Sequence, residues 1–233
     1  MNNFKRRSAD EAFGLIVPGQ VIGLGDGSTV LYLAELIAAD QQLAASLTLT
    51  SSSARTILKM QELSLASIPL SSLKAVDLYF DGCDQFDREL NALKSGSGIH
   101  AVEKLLAGMA AEFILIGDLE KYSPAFTSAF PVVAEVLPAA LCSVTEKLTM
   151  EFPLAVFTTR AALSERENAL LEIKFTEWPD PARLNTFIKM LPGVLDHSLF
   201  YRMARRAFIS GPEGTRTVYP AIQNYDHVSK KGY

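Results

Sequence analysis

Short apolar runs that end in polar or glycine-rich turns alternate with helix-like segments over the first half of the chain. The runs lie at 21–24, 47–50, 76–80 and 113–116. The helix-like segments between them, with apolar residues at helical spacing, are 30–39, 55–63 and 99–111. Strands that alternate with helices are typical of a parallel sheet with helices on its faces. The sequence therefore predicts an α/β fold up to about residue 121.

The pattern changes after residue 130. A proline-bounded extended run is followed by a helix, two strands and a second helix, at 130–138, 139–151, 153–158, 169–175 and 181–191. This order predicts a smaller α+β subdomain over 130–200. Leu199-Phe200 and 207–209 suggest that the chain then returns to the main sheet. The predicted domains are 1–129 plus 201–233, and 130–200.

Composition excludes several classes of protein. The 233 residues are 48% hydrophobic, which is enough for a core without disulfides or metals. A net charge of −4 argues against a nucleic-acid partner. No apolar run reaches the roughly 18–20 residues of a membrane span, and the N-terminus is not a secretory signal. Cys83 and Cys142 form no disulfide or metal pattern, and His100, His197 and His227 are too far apart for a metal site.

A glycine-rich turn joins the first strand to the next helix. The turn 23–29 reads GLGDGST, and backbone N–H groups at such a helix start bind anions. Its third glycine comes one residue too early for a dinucleotide fingerprint, and the chain has no P-loop. The turn predicts a pocket for a small phosphate or carboxylate, although a purely structural tight turn remains an alternative.

Asp26 lies in this turn, where its carboxylate would repel a phosphate. Two unit charges about 4 Å apart cost roughly 4 kcal/mol at an effective dielectric constant of about 20. Either Asp26 points away, or the site no longer holds a phosphate well.

Charged residues cluster around the central strand. Asp81 and Asp84 follow the strand, Lys94 opens the flexible loop KSGSG, and Glu103 lies in the next helix. Such groups at the carboxyl end of a strand suit acid–base chemistry on a small molecule. Alternatively, the two aspartates cap turns and Glu103 is a solvated helix residue. The absence of a G-x-S-x-G elbow argues against an α/β-hydrolase.

The order of these motifs resembles type A ribose-5-phosphate isomerase. The motifs are GDGST at 25–29, SSS at 51–53, DGCDQ at 81–85, KSGSG at 94–98, Glu103-Lys104 and Lys121. The stretches FPVVAEVLP and LPGVLDHSLFYRMA are similar to further parts of the family pattern. The resemblance covers most of 5–218.

The resemblance implies a Rossmann-like parallel-sheet domain with a smaller ferredoxin-like α+β subdomain. It further implies an enzyme of the pentose phosphate pathway that interconverts ribose 5-phosphate and ribulose 5-phosphate. Members of the family are cytoplasmic homo-oligomers without cofactors, so a homodimer or homotetramer is expected here.

The resemblance also assigns roles. Glu103 matches the general base, Lys94 would stabilise the developing oxyanion, and Asp81 and Asp84 would hold hydroxyls and assist opening of the sugar ring. Ser28, Thr29 and Lys5 would hold the phosphate, with Lys121 at the sugar end. The full set of expected substrate-binding residues is Lys5, Asp26, Gly27, Ser28, Thr29, Gly82, Cys83, Ser95, Gly96, Ser97 and Lys121.

The chain departs from the family pattern at several positions. Asp26 replaces a threonine, Gln85 replaces a glutamate, Ser95 and Ser97 replace glycines, and His197-Ser198 stands where a glycine is usual. Serine at a position that needs positive φ predicts strain or another loop shape. Two hypotheses follow: an active isomerase, or a non-catalytic or altered-specificity relative that binds a phosphosugar or another anion.

Overall fold

A computed structural model describes residues 4–221, so that 1–3 and 222–233, with His227 and both ends of the first predicted domain, lie outside the described residues. The helices in the described range are α1 (Phe4–Phe13), α2 (Ser28–Ala39), α3 (Gln41–Ser46), α4 (Ala54–Glu62), α5 (His100–Met109), α6 (Leu141–Glu151) and α7 (Pro181–Lys189). The strands are β1 (Val21–Leu24), β2 (Thr48–Ser51), β3 (Val76–Asp81), β4 (Gln85–Phe86), β5 (Ala92–Leu93), β6 (Ala110–Asp118), β7 (Val132–Val136), β8 (Val156–Thr159), β9 (Ala169–Lys174), β10 (Val194–His197), β11 (Leu199–Phe200), β12 (Ala204–Gly211) and β13 (Gly214–Val218).

Six strands form the main sheet in the order β13-β12-β6-β3-β1-β2. All neighbouring pairs are parallel except β12 and β13, which are antiparallel at one edge. The predicted parallel α/β sheet is therefore confirmed. The chain leaves β1 toward β2 and returns on the other side at β3, and open α/β sheets bind ligands outside the carboxyl ends of strands at such a reversal.

Alternating side chains divide the core between the two faces of this sheet. On β3, Leu78 and Phe80 pack into the cluster that contains α1 and α2. Tyr79 lies on the opposite face, in a cluster with Leu106 of α5 and Phe113 of β6. This alternation follows from the period of two in a strand, and it places α5 beside the end of β3.

A second sheet forms the smaller α+β unit. Its four strands are antiparallel in the order β10-β7-β9-β8. Apolar residues of α6 and α7, such as Val144 and Leu184, pack with Val132 and Ile173 of this sheet. The predicted change of architecture after residue 130 is thus present, while the proposed domain boundaries stay a prediction.

The structure corrects two details. Leu199–Phe200 does not return to the main sheet but pairs with Ala92–Leu93 in a small three-stranded sheet; the chain rejoins the main sheet at β12. The helix predicted over 99–111 ends at Met109, because Ala110 pairs with Val76 and begins β6. In both cases the apolar character of the residues predicts that they are buried, but it does not predict the strand with which they pair.

Candidate active site

A cavity of about 240 Å³ lies at the carboxyl ends of β1, β3 and β6. It is enclosed by the start of α1, the turns that follow the three strands, the loop before α5 and the first turn of α5. The residues that line it are Lys5, Asp26, Gly27, Ser28, Thr29, Gly82, Cys83, Asp84, Lys94, Gly96, Ser97, Glu103, Ile116, Gly117, Asp118 and Lys121.

A buried ammonium lies between two carboxylates at the inner end of the cavity. Lys94 Nζ is 2.8 Å from Asp81 Oδ2 and 3.3 Å from Glu103 Oε1. It also donates a hydrogen bond to the carbonyl oxygen of Gly82 at 2.6 Å. The three charged side chains are at most 6% exposed, so little solvent screens their interactions.

Glu103 is placed in this cluster by the first turn of α5. Its Oε2 has no hydrogen-bond partner among the described residues. Burial is the main cause that raises the pKa of Glu103 to about 8; the Lys94 ammonium opposes the shift and the Asp81 charge adds to it. A carboxylate with one free oxygen and a pKa close to neutral can both take and return a proton.

Lys94 responds to the same surroundings in the opposite way. Burial by itself would lower its pKa, but the negative charges of Asp81 and Glu103 outweigh burial and raise it. The ammonium therefore persists at neutral pH. A fixed cation beside a potential base can stabilise negative charge that develops on a bound molecule.

The end of the cavity at the start of α2 suits an anion. Helix α2 begins at Ser28, directly after Gly27, whose φ of +107° favours glycine. The helix start offers backbone N–H groups together with the hydroxyls of Ser28 and Thr29. Lys5 and Lys121 add two ammonium groups to the lining.

Asp26 lines the cavity, but its carboxylate is turned toward the start of α4. Its Oδ1 accepts a hydrogen bond from Ser53 Oγ at 3.0 Å and lies 3.9 Å from Arg55 Nη1. These partners offset part of the negative charge. Of the two alternatives for Asp26, the structure therefore favours a side chain that points away from the anion end.

The loop 94–98 is held on its amide side by Asp84. The Oδ2 of Asp84 accepts hydrogen bonds from the backbone N–H groups of Ser95 at 2.6 Å and Gly96 at 3.1 Å. Of the two alternatives for Ser95 and Ser97, strain or another loop shape, strain is excluded because neither residue has a positive φ. The glycine in this loop that has positive φ is Gly98, at +74°.

Comparisons with known proteins agree on one family. The family model described as ribose 5-phosphate isomerase A (phosphoriboisomerase A) matches residues 48–214. The chain is a member of this family. A ribose-5-phosphate isomerase A from Synechococcus sp. (strain WH7803) is 32% identical over 91% of this chain and 93% of its own. The human ribose-5-phosphate isomerase is 32% identical over 84% of this chain, which spans 66% of the human length.

A solved structure supports the same assignment. Ribose 5-phosphate isomerase from Plasmodium falciparum superposes with a TM-score of 0.86 and 28% identity, over 95% of this chain and 100% of the solved one. The family membership and the fold class predicted from the motifs are thereby confirmed.

The structure places two of the expected isomerase site residues behind the cavity wall. Asp81 is fully buried, and its oxygens accept hydrogen bonds from Tyr79 Oη and from the N–H groups of Gly82 and Asp26, beside the Lys94 ion pair. Ser95 directs its hydroxyl to the carbonyl oxygen of Pro131 at 2.5 Å. The other expected site residues all line the cavity.

Sequence reasoning missed Tyr79 and Asp118. The buried Tyr79 hydroxyl donates to Asp81, and burial followed by the Asp81 charge raises the pKa of Tyr79. Tyr79 could have been found, because it lies two residues before Asp81 on the same face of a strand. Asp118 ends β6 as Asp81 ends β3, and its Oδ2 is 4.0 Å from Lys5 Nζ.

Two further departures from the family pattern lie outside the cavity lining. The side-chain amide of Gln85 forms two hydrogen bonds with Thr127. Its Nε2 donates to Thr127 Oγ1 at 3.1 Å, and its Oε1 accepts from the backbone N–H of Thr127 at 2.9 Å. His197 is buried beside Lys104, whose ammonium donates to Asp196 Oδ1 at 2.8 Å and ties α5 to β10. Neither substitution therefore changes the shape of the cavity directly.

His100, at the start of α5, makes the free energy of unfolding depend on pH. It is fully buried, and neither ring nitrogen has a hydrogen-bond partner among the described residues. Burial, aided by the Lys104 charge, lowers the pKa of His100 to about 3. Because a histidine in the unfolded chain has a pKa of about 6.5, the unfolded state binds the extra proton at this residue between these values, and the contribution of His100 to stability becomes less favourable as the pH falls.

We expect His100→Leu to remove this contribution. The free energy of unfolding of the variant minus that of the parent protein should increase by about 1.4 kcal/mol per pH unit as the pH drops below about 6.5. Urea titrations at about pH 7, 6 and 5 measure the difference. A constant difference across this range would show that His100 does not carry the proton.

The described part of the chain offers no group of three or more histidine, cysteine, aspartate or glutamate side chains that could hold a metal ion. Over residues 4–221, no helix has both the length and the apolar character that crossing a membrane requires.

Proposed function

We propose that this chain interconverts ribose 5-phosphate and ribulose 5-phosphate, with proton transfer by Glu103. The observation that carries the proposal is a buried glutamate with one free oxygen beside a persistent ammonium, in a cavity whose other end suits an anion. Family membership supports the same reaction.

Binding would place the phosphate at the start of α2. The N–H groups there, the hydroxyls of Ser28 and Thr29 and the ammonium of Lys5 would neutralise and fix it. Lys121 lines the same cavity, and the family resemblance assigns it to the sugar end. This orientation directs the sugar carbons toward Lys94 and Glu103.

The aspartates would act in two different ways. Asp84 lines the cavity, where it can hold a sugar hydroxyl and assist opening of the ring. Asp81 would act through Lys94, because its oxygens already have protein partners. We therefore assign Asp81 to the orientation of the ammonium.

The chemical step is a proton transfer between two carbons. Glu103 takes the proton from C2 of the open-chain aldose, the electron pair forms the C1–C2 double bond, and O1 becomes an oxyanion beside Lys94. The proton on O2 moves to O1, and Glu103 returns its proton to C1 as the C2 carbonyl forms. The protonated and ionised forms of Glu103 are both accessible because its pKa is raised to about 8.

The alternative is a non-catalytic or altered-specificity relative with the same fold. It is not favoured, since Glu103 and Lys94 are both present and in contact, and Asp26 is turned toward Ser53 and Arg55. A homodimer or homotetramer, a cytoplasmic location and activity without a cofactor stay predictions from the family.

The test is formation of ribulose 5-phosphate from ribose 5-phosphate by the purified protein. We expect saturable turnover without added metal. No turnover by folded protein at high substrate concentration would instead mean that the cavity serves another ligand.

Asp26→Thr tests the remaining charge at the anion end. We expect its KM for ribose 5-phosphate to fall by no more than about threefold, because a full unit charge about 4 Å from a phosphate costs on the order of 1 kcal/mol in water-like surroundings and Ser53 and Arg55 offset part of the Asp26 charge. Steady-state kinetics measure the change, and Asp10→Asn on the exposed side of α1 serves as the control. An unchanged KM would show that Asp26 is already neutralised by Ser53 and Arg55.

A further inference from the structure

The loop 94–98 requires precise placement. It carries Lys94 at its start, and Gly96 and Ser97 line the cavity. Asp84 holds two of its amides, as described above. The carbonyl groups of the same loop face a different element, the smaller sheet.

Arg160 of the smaller sheet binds these carbonyl groups. It directly follows β8, and its Nη1 donates to the carbonyl oxygen of Gly96 at 2.9 Å. Its Nη2 donates to the carbonyl oxygen of Ser95. Two consecutive carbonyls are thus held by one guanidinium, and bonds with a charged partner are stronger than bonds between neutral groups.

The guanidinium is also held by contacts outside the loop. Its Nε donates to Glu172 Oε1 on β9 at 2.7 Å, and the backbone N–H of Arg160 donates to the carbonyl oxygen of Leu170 at 2.9 Å. The Arg160 side chain is 22% exposed. A lysine could not make this set of contacts, since it lacks the planar fork of donors.

The loop also packs tightly against β9. A Cβ built on Gly98 would approach Leu170 Cδ1 to 2.7 Å, so the loop and the strand are in close contact at this glycine. Asp84 on the main-sheet side and Arg160 on the smaller-sheet side therefore bind the amide and the carbonyl groups, respectively, of the same two residues, Ser95 and Gly96.

We infer that Arg160 is a positioning residue of the active site: it fixes the loop 94–98 from the smaller sheet and thereby the place of the Lys94 ammonium. Arg160 does not itself line the cavity. The inference rests on the proposed isomerase function for its kinetic consequence. Its structural part, the fixing of the loop, can be measured without any substrate.

The first measurement is hydrogen exchange of the peptide that spans the loop. In Arg160→Met, the amides of Ser95 and Gly96 are expected to exchange about tenfold faster or more, because two charge-assisted bonds are lost. Arg166→Met, an exposed arginine in the same β8–β9 connection, is the matched control and keeps the parent rate. Arg160→Lys provides a second variant that retains the charge and should exchange at an intermediate rate.

The second measurement is kinetic. We expect kcat/KM of Arg160→Met to fall about 10- to 100-fold, as small displacements of catalytic groups have effects of this size. Millimolar guanidinium should restore part of the loss in Arg160→Met. It should restore nothing in Glu103→Gln, whose missing group is a carboxylate.

Parent-like loop exchange in Arg160→Met, with kcat/KM within about twofold of the parent, would overturn the inference. Faster exchange together with a loss of activity that guanidinium partly restores supports it. If the parent protein itself fails to turn over ribose 5-phosphate, the proposed function fails, and the exchange rates still decide whether Arg160 fixes the loop.

Discussion

Glu103→Gln is expected to lower kcat for ribose 5-phosphate about 10²- to 10⁴-fold with little change in KM. The glutamine keeps the size of the side chain and an oxygen for the contact with Lys94, but it cannot accept a carbon-bound proton. Steady-state kinetics separate the two constants, and a fall in kcat alone indicates an interaction made in the transition state. Glu146→Gln on the exposed face of α6 is the matched control.

The pH profile gives the same prediction a second readout. Because Glu103 acts as a base when ionised and its pKa is raised to about 8, kcat/KM of the parent enzyme should rise with pH up to about that value. Below it, activity should fall about tenfold per pH unit. The residual activity of Glu103→Gln should lack this fall at low pH, the acid limb of the profile. Parent-like activity in that variant would show that Glu103 is not the base.

Lys94→Met is expected to have the second largest effect. Removing the ammonium leaves the carboxylates of Asp81 and Glu103 together in a buried site with no cation between them. The loss of a group that stabilises an oxyanion lowers kcat about 10²- to 10³-fold. In addition, Lys94 opposes the rise of the Glu103 pKa, so the acid limb of the pH profile should move to higher pH.

Lys147→Met, an exposed substitution on α6, is the control for this variant. Circular dichroism of both variants checks that the fold is retained. A folded Lys94→Met protein whose kcat is unchanged would show that Lys94 does not stabilise the oxyanion. If Lys94→Met loses activity but its acid limb stays at the original pH, then Lys94 does not influence the pKa of Glu103. That result would disagree with the 3.3 Å contact between Lys94 Nζ and Glu103 Oε1.

Local patterns predicted the main sheet and much of the site. Apolar runs that end in polar turns indicated β1, β3 and β6, and the carboxyl ends of parallel strands necessarily meet at one edge of the sheet. Gly27 could be placed because it lies in the turn after β1, and Glu103 because it lies in the helix that completes the strand–loop–helix unit begun by β3. The joint order of the motifs, through the family resemblance, predicted the reaction.

Contacts between distant segments could not be predicted in the same way. Arg160 lies 64 residues from Gly96, and nothing in the local sequence of either indicates the other. The choice between strain and another loop shape at Ser95 and Ser97 could not be made from the sequence for a similar reason: backbone φ depends on how Asp84 and the smaller sheet hold the loop. The pairing of Leu199–Phe200 with Ala92–Leu93 likewise depends on tertiary structure.

The most direct test of the role of Glu103 is turnover of ribose 5-phosphate in heavy water, followed by proton NMR, for the parent protein and for Glu103→Gln. We expect the parent protein to form ribulose 5-phosphate with deuterium at C1, because a carboxylate takes the C2 proton and can exchange it with solvent before returning it to C1. We expect almost no product with Glu103→Gln. Absence of product with the folded parent protein, or equal turnover by the two proteins, would contradict the central claim that Glu103 is the base of a sugar-phosphate isomerase.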